Sequence, residues 1–81
     1  MGYHKDIIPK GKLGEFSKVE EEFLELKDAF KQNHKILMLC EMADLVGSIE
    51  ALANKMNMSL DDIIQMKNST KESFEEGKRT N

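Results

Sequence analysis

Residues 35–53 read KILMLCEMADLVGSIEALA, and this stretch decides the fold. It contains no proline, and its apolar residues at 36–40, 42, 43, 45, 46, 49, 52 and 53 occupy nearly every side of a helix. A helix that is apolar around most of its circumference is typical of a central position between packing partners. The sequence therefore predicts a long second helix, from about Lys35 to Met56, in the middle of an all-α fold.

A helix is predicted on either side of this stretch. Ser17 and Glu20 have the spacing of a capping box at the start of a first helix, and apolar residues at 16, 19, 23, 26 and 30 form one face that we expect to be core. The polar residues 32–34 indicate a chain reversal. Ser59 and Asp62 repeat the capping-box spacing at the start of a third helix. The sequence thus predicts a helical hairpin plus a third helix.

Length and composition indicate one small domain over residues 1–81, with an arm at 1–14, a helical core at 15–76 and a frayed tail at 77–81. The net charge of −3 argues against a nucleic-acid partner. Acidic residues interrupt the long apolar stretch, and the N-terminus does not resemble a signal peptide, so we expect no membrane association. A single cysteine, Cys40, is what we expect of a cytoplasmic protein.

Acidic side chains occur in two pairs with the same spacing. Glu22 and Glu25 share a side of the first helix, as Glu41 and Asp44 share a side of the second. In an antiparallel hairpin about Asn33, the inner acid of each pair lies eight residues from the turn and the outer acid eleven. The hairpin is therefore expected to bring four carboxylates together.

Four adjacent carboxylates need a cation, because uncompensated like charges in a partly buried patch are unstable. Oxygen ligands suit Mg²⁺, or alternatively Mn²⁺, better than Zn²⁺. Since Mg²⁺ commonly bridges to phosphates, the expected substrate is phosphorylated. The alternative is that the first-helix acids form a solvated surface and that Glu41 and Asp44 pair with lysines.

Other residues that could have a chemical role are interpreted more simply. The third helix carries a stripe that changes from apolar to basic, and its lysines either hold substrate phosphates or favour the C-terminal end of the helix dipole. We expect Cys40 to be a small buried hydrophobic residue. His4 and His34 are isolated in sequence, and we expect neither to be catalytic.

The sequence Glu21-Glu22-Phe23-Leu24-Glu25, followed after fifteen residues by Glu41-Met42-Ala43-Asp44, resembles the EExxE…ExxD signature of the all-α nucleoside triphosphate pyrophosphohydrolases, the MazG-like superfamily. The resemblance covers roughly residues 16–55. It implies a Mg²⁺-dependent enzyme that hydrolyses nucleoside triphosphates between the α and β phosphates, giving a monophosphate and pyrophosphate.

Carried over by position, the resemblance also implies roles for individual residues. The metal ligands would be Glu22, Glu25, Glu41 and Asp44, with Glu22 or Glu25 as catalytic base and Glu21 supporting the ligands from behind. Basic residues on a later helix would bind substrate, and the matching positions here are Lys67, Lys71 and Arg79.

The chain is short for this family, whose members resemble four-helix cores built within one chain or by association of chains. We therefore expect a homodimer or homotetramer that completes a four-helix bundle. Two other classes stay open. One is a helical oligomerisation module without catalysis, and the other is a nucleotide or metal sensor.

Overall fold

The computed structural model describes residues 4–75, with side chains as far as residue 71. Over this range the chain forms three helices and no strand: α1 (Phe16–Lys31), α2 (Lys35–Lys55) and α3 (Leu60–Glu75). The expectation of an all-α chain with three helices is confirmed. None of the three helices is both long enough and apolar enough to cross a membrane. The expected tail at 77–81 and Arg79 lie outside the described residues.

The turn between α1 and α2 lies where the polar residues predicted it. Asn33 adopts a φ of 56°, a left-handed conformation that asparagine tolerates better than most residues, so the chain reverses without glycine or proline. Its N–H donates to the carbonyl of Phe30 at 2.9 Å. His34 then caps α2, because its Nδ1 accepts a hydrogen bond from the N–H of Leu37 at 3.1 Å.

The two predicted capping boxes have different outcomes. At α3 the box is present: the N–H of Ser59 donates to Oδ2 of Asp62 at 2.9 Å, and the N–H of Asp62 donates to the Ser59 hydroxyl at 3.1 Å. At α1 the prediction of a box at Ser17 and Glu20 is wrong. The N-cap is Glu15, and the Ser17 hydroxyl accepts a hydrogen bond from the backbone of the N-terminal arm instead.

The buried residues of α1 and α2 are mainly small or acidic. Ala29, Ser48 and Ala53 are almost completely buried, and such small residues let two helices approach closely. The other buried residues of the two helices are Glu21, Glu22, Asp28, Leu37 and Glu41. Most of this buried set is therefore polar or charged. Among the described residues, α3 packs against α2 and not against α1.

The three phenylalanines of the apolar stripe of α1 are exposed in this chain. Phe16, Phe23 and Phe30 are 65%, 53% and 70% exposed, so the prediction that they belong to the core of the chain is wrong, whereas Val19 and Leu26 of the same stripe are half-buried. The acidic side of the helix takes that position. On α2, Ile36, Leu39, Met42 and Val46 are exposed too, and so is Cys40, which was expected to be buried. We call the seven exposed residues other than Cys40 the outer apolar residues.

The described part of the N-terminal arm, residues 4–15, lies against α1. The N–H of Lys5 donates to Oδ2 of Asp28 at 3.0 Å, and the N–H of Gly11 donates to Oε1 of Glu21 at 2.7 Å. A Cβ at Gly11 would lie 2.2 Å from the carbonyl oxygen of Ser17, so only glycine fits this approach. The arm is thus held beside the acidic side of α1.

Candidate metal site

Carboxylates from both helices of the hairpin meet between them. Ligand oxygens of Glu22, Glu41 and Asp44 all lie within 4.8 Å of one another, and so do those of Glu21, Glu22 and Glu25. A third group joins Glu25 and Glu41 to the imidazole of His4. The three groups overlap, so the structure brings all four sequence-derived candidate ligands into one connected cluster.

Two of these carboxylates have an oxygen with no partner. Glu22 and Glu41 are 6% and 5% exposed, and Oε1 of each is buried and accepts no hydrogen bond from the described residues. Leaving a charged oxygen buried and unsatisfied costs on the order of a few kcal/mol. Asp44, in contrast, is exposed, so the cluster opens towards solvent on its side. A cation between the helices would satisfy both buried oxygens.

The carboxyl group of Glu25 has an unusual affinity for protons. Burial, repulsion from the charge of Glu22 and contact with Glu41 together raise the pKa of Glu25 to about 7. Without a metal, this carboxyl is therefore partly protonated near neutral pH. A bound cation would favour the ionised form.

The imidazole of His4 is the main feature that the sequence did not predict. Its Nδ1 lies 2.9 Å from Oδ2 of Asp28, and its Nε2 lies 2.9 Å from Oε2 of Glu41 and 3.9 Å from Oε1 of Glu25. Burial alone would lower the pKa of His4, but the hydrogen bonds to Asp28 and Glu41 outweigh it and raise the pKa. Although isolated in sequence, His4 thus contacts the acidic cluster in the structure.

Asp28 was also missed, although the sequence carried a signal for it. It follows Glu25 by three residues, which continues the acidic side of α1 by one turn. Burial would raise the pKa of Asp28, but hydrogen bonds from His4, the N–H of Lys5 and the side chain of Gln32 lower it to about 2. Asp28 is thus an ionised, buried acceptor that orients the His4 ring.

Glu21 lies behind the cluster and anchors the arm. It is 3% exposed, and its Oε1 accepts hydrogen bonds from the N–H of Gly11 at 2.7 Å and from Nζ of Lys18 at 3.1 Å. Burial would raise the pKa of Glu21, but these two donors lower it. Lys18 also lies 3.2 Å from Oε2 of Glu22, so one ammonium group fixes two carboxylates.

The basic residues proposed for substrate binding lie on another element. Lys67 and Lys71 are exposed on α3, where Nζ of Lys67 donates to Oδ1 of Asn68 at 3.0 Å. The lysines that form ion pairs with Glu21 are Lys10 of the arm and Lys18 of α1. The structure therefore leaves the roles of Lys67 and Lys71 as predictions.

A surface depression reaches the cluster beside the arm. Its volume is about 170 Å³, and it is lined by His4, Asp6, Ile8, Lys10 and Glu25. A small ion can therefore approach Glu25 and the imidazole from this side without rearrangement of the helices.

Comparison with known proteins identifies no relative: no family model, no curated protein and no solved structure matches the chain. The chemistry of the cluster has to be inferred from its own geometry. Carboxylates at this density, with two buried oxygens unsatisfied, are the donor set that a divalent cation prefers. The residues present therefore fit a metal ion.

Proposed function

We propose that this chain is a Mg²⁺-dependent nucleoside triphosphate pyrophosphohydrolase, which cleaves between the α and β phosphates to release a nucleoside monophosphate and pyrophosphate. One observation carries the proposal: Glu22 and Glu41, which belong to the EExxE…ExxD pattern, each bury an oxygen that has no partner among the described residues. Acids placed for solubility would lie at the surface.

Glu22, Glu25, Glu41 and Asp44 are the proposed ligands of Mg²⁺, or alternatively of Mn²⁺. Their oxygens belong to overlapping groups between α1 and α2, and the exposed Asp44 leaves room for water and phosphate oxygens. When bound, the metal neutralises phosphate charge and lowers the pKa of a coordinated water. Lys18 pairs with Oε2 of Glu22 at 3.2 Å, and the buried Oε1 has no hydrogen-bond partner among the described residues.

Glu25 fits the role of general base best. A general base has to lie within hydrogen-bond reach of the water that it deprotonates, and Glu25 is half-buried at the edge of the cluster rather than enclosed. Glu25 also lines the depression beside the arm, so it can accept a proton from a water molecule that enters there. Glu22 is the alternative base, although its hydrogen bond to Lys18 favours a fixed ligand role.

Substrate phosphates are proposed to contact the basic residues Lys67, Lys71 and Arg79. The support is the resemblance, together with the exposure of Lys67 and Lys71, which leaves both ammonium groups accessible to a ligand, while Arg79 lies outside the described residues. Lysine is a common partner of phosphate because its ammonium group is a compact, mobile charge. We place this reaction in the reducing cytoplasm, where the exposed Cys40 would stay free.

A homodimer or homotetramer is proposed as the functional unit, in which a four-helix bundle covers the outer apolar residues. Three phenylalanines more than half exposed on one side of a 16-residue helix are unusual for a monomeric protein. Burying one such side chain contributes about 1.5–3 kcal/mol. The inverted burial of α1, with acids inside and phenylalanines outside, supports a partner on the outer side.

The same exposed residues also favour the second candidate, a helical oligomerisation module without catalysis. In that case the acids would not turn over substrate. The third candidate is a nucleotide or metal sensor, which would bind its ligand without releasing pyrophosphate.

The test is pyrophosphate release with Mg²⁺ from a panel of standard and modified nucleoside and deoxynucleoside triphosphates. We expect the wild type to release pyrophosphate and Glu41→Gln to lose at least about 100-fold, because a metal ligand matters at least as much as the groups behind it. Glu20→Gln removes an exposed acid of α1 outside the cluster and is the matched control. Equal rates for wild type and Glu41→Gln across the panel would refute catalysis at this site.

A further inference from the structure

The His4 imidazole has the surroundings of a metal-binding histidine. One ring nitrogen, Nδ1, lies 2.9 Å from the buried carboxylate of Asp28, while Nε2 points at Glu41 and Glu25. Histidines that bind metals commonly donate one ring N–H to a carboxylate, which fixes the ring and leaves the other nitrogen for the ion. Asp28 therefore fills the supporting position, and Nε2 faces the cluster.

Two further observations point to a ligand at this position. Oε1 of Glu41 is buried and has no hydrogen-bond partner among the described residues, although the other oxygen of this carboxylate contacts His4. The depression lined by His4 and Glu25 gives a small ion access from solvent. Nε2 of His4 and oxygens of Glu25 and Glu41 already lie within 4.8 Å of one another.

We propose that His4, Glu25 and Glu41 form a binding site for a first-row transition-metal dication, with Nε2 of His4 as the nitrogen ligand and Asp28 as the residue that positions the ring. The site shares two carboxylates with the proposed magnesium site, so it deepens the proposed function by giving that cluster a preference among metals. It does not require that the chain hydrolyse anything.

The nitrogen ligand determines which metal ions the site prefers. Mg²⁺ strongly prefers oxygen ligands, whereas imidazole affinity rises along the series from Mn²⁺ through Fe²⁺ and Co²⁺. On binding, the Nε2 proton of His4 leaves to solvent, and the lone pair that held it forms the bond to the metal. The hydrogen bond between Nε2 and Glu41 is then replaced by two bonds to the ion.

Variants can distinguish metal binding at this site from metal binding at the proposed magnesium site, whose ligands are all carboxylates. His4 belongs to the group with Glu25 and Glu41, whereas Asp44 belongs to the group with Glu22 and Glu41. His4→Gln therefore removes the nitrogen ligand and leaves every carboxylate of both groups in place. The matched control is His34→Asn, because His34 caps α2 and asparagine is also a good N-cap.

The experiment uses the full chain with Mn²⁺ and Co²⁺ as probes. Pulsed electron paramagnetic resonance of the Mn²⁺-loaded protein should show coupling to a ¹⁴N nucleus in the wild type and in His34→Asn, and none in His4→Gln. Co²⁺ affinity, followed by visible absorption, should fall at least about tenfold in His4→Gln and stay within about twofold in His34→Asn. Circular dichroism verifies that His4→Gln keeps its helices.

Bound Mn²⁺ without nitrogen coupling in the wild type would overturn the proposal, and this measurement needs no variant. Unchanged Co²⁺ affinity in His4→Gln, or no binding of either ion by the wild type, would overturn it too. Nitrogen coupling in a chain that releases no pyrophosphate would support the site and count against the proposed function. Pyrophosphate release with Mg²⁺ and no nitrogen coupling would refute this site and leave the function standing.

Discussion

Glu22 of α1 and Glu41 of α2 lie across the helix pair with ligand oxygens within 4.8 Å, and each has one buried oxygen without a hydrogen bond from the described residues. Lys18 pairs with the other oxygen of Glu22 and His4 with the other oxygen of Glu41, but the two unpaired oxygens still oppose the association of the helices. A divalent cation that binds these oxygens should therefore stabilise the fold. The stability of the chain is thus expected to depend strongly on divalent metal.

Mg²⁺ is expected to raise the melting temperature of the wild type and not that of Glu22→Gln or Glu41→Gln. A ligand present at 100 times its dissociation constant stabilises the native state by about 2.7 kcal/mol, which corresponds to about 10 °C or more for a domain of this size. Differential scanning fluorimetry with EDTA and then with Mg²⁺ measures the shift. Glu20→Gln should respond like the wild type, and a full response in Glu41→Gln would contradict the role of this carboxylate.

The pKa of Glu25 predicts how stability changes with pH in the metal-free chain. The pKa of this carboxyl is about 7 in the folded state against an ordinary 4.5, so the unfolded chain loses the proton first as the pH rises. Stability contributed by protonated Glu25 is therefore full below pH 4.5 and is lost as the pH rises to about 7.

Glu25→Gln should remove the part of the loss of folding stability with rising pH that the ionisation of Glu25 causes. The expected gain over the wild type at pH 8 is about 1–2 kcal/mol, because one pKa unit corresponds to about 1.4 kcal/mol and a partly exposed side chain experiences only part of it. Urea unfolding in EDTA at several pH values gives the difference between the two proteins. The charge of Glu25 contributes to the raised pKa of His4, so the same comparison in a His4→Gln background isolates Glu25.

The grouping of the four candidate ligands followed from the sequence because two rigid periodicities determine it. Residues three apart share a helix side, and a short turn at Asn33 fixes which turns of the two helices come level. His4 could not be placed in this way. It lies in an arm without periodicity, and its position is determined by hydrogen bonds to Asp28 and Glu41, which are far from it in the sequence.

The phenylalanine stripe shows a different limit of the sequence pattern. Regular spacing at Phe16, Phe23 and Phe30 correctly indicates one helix face, but it does not say what covers that face. A prediction that treats one chain as the folding unit assigns the stripe to its own core. The structure instead gives that position to Glu22 and Asp28.

Gly11→Ala should destabilise the chain, because the new Cβ would collide with the backbone carbonyl of Ser17 and displace the arm from Glu21. The expected loss is about 1–3 kcal/mol, which combines backbone strain with a lost hydrogen bond to a charged acceptor. Gly47→Ala is the matched control. A Cβ at Gly47, within α2, meets nothing within 4 Å, so alanine should stabilise by about 0.5–1 kcal/mol. Urea unfolding measures both, and equal effects would show that the arm does not hold this position.

Phe23→Lys should dissociate the oligomer. Phe23 is 53% exposed in the single chain, and in the proposed bundle each subunit would bury it, so its loss should weaken association at least about tenfold. Ile7→Lys changes the net charge by the same amount at a fully exposed residue of the arm and should leave the oligomer intact. Sedimentation equilibrium should give a multiple of 9.3 kDa for the wild type and for Ile7→Lys, and a lower mass for Phe23→Lys. A wild type that sediments at 9.3 kDa with full helicity would rule out the bundle, because the phenylalanine stripe would then face water in the native protein.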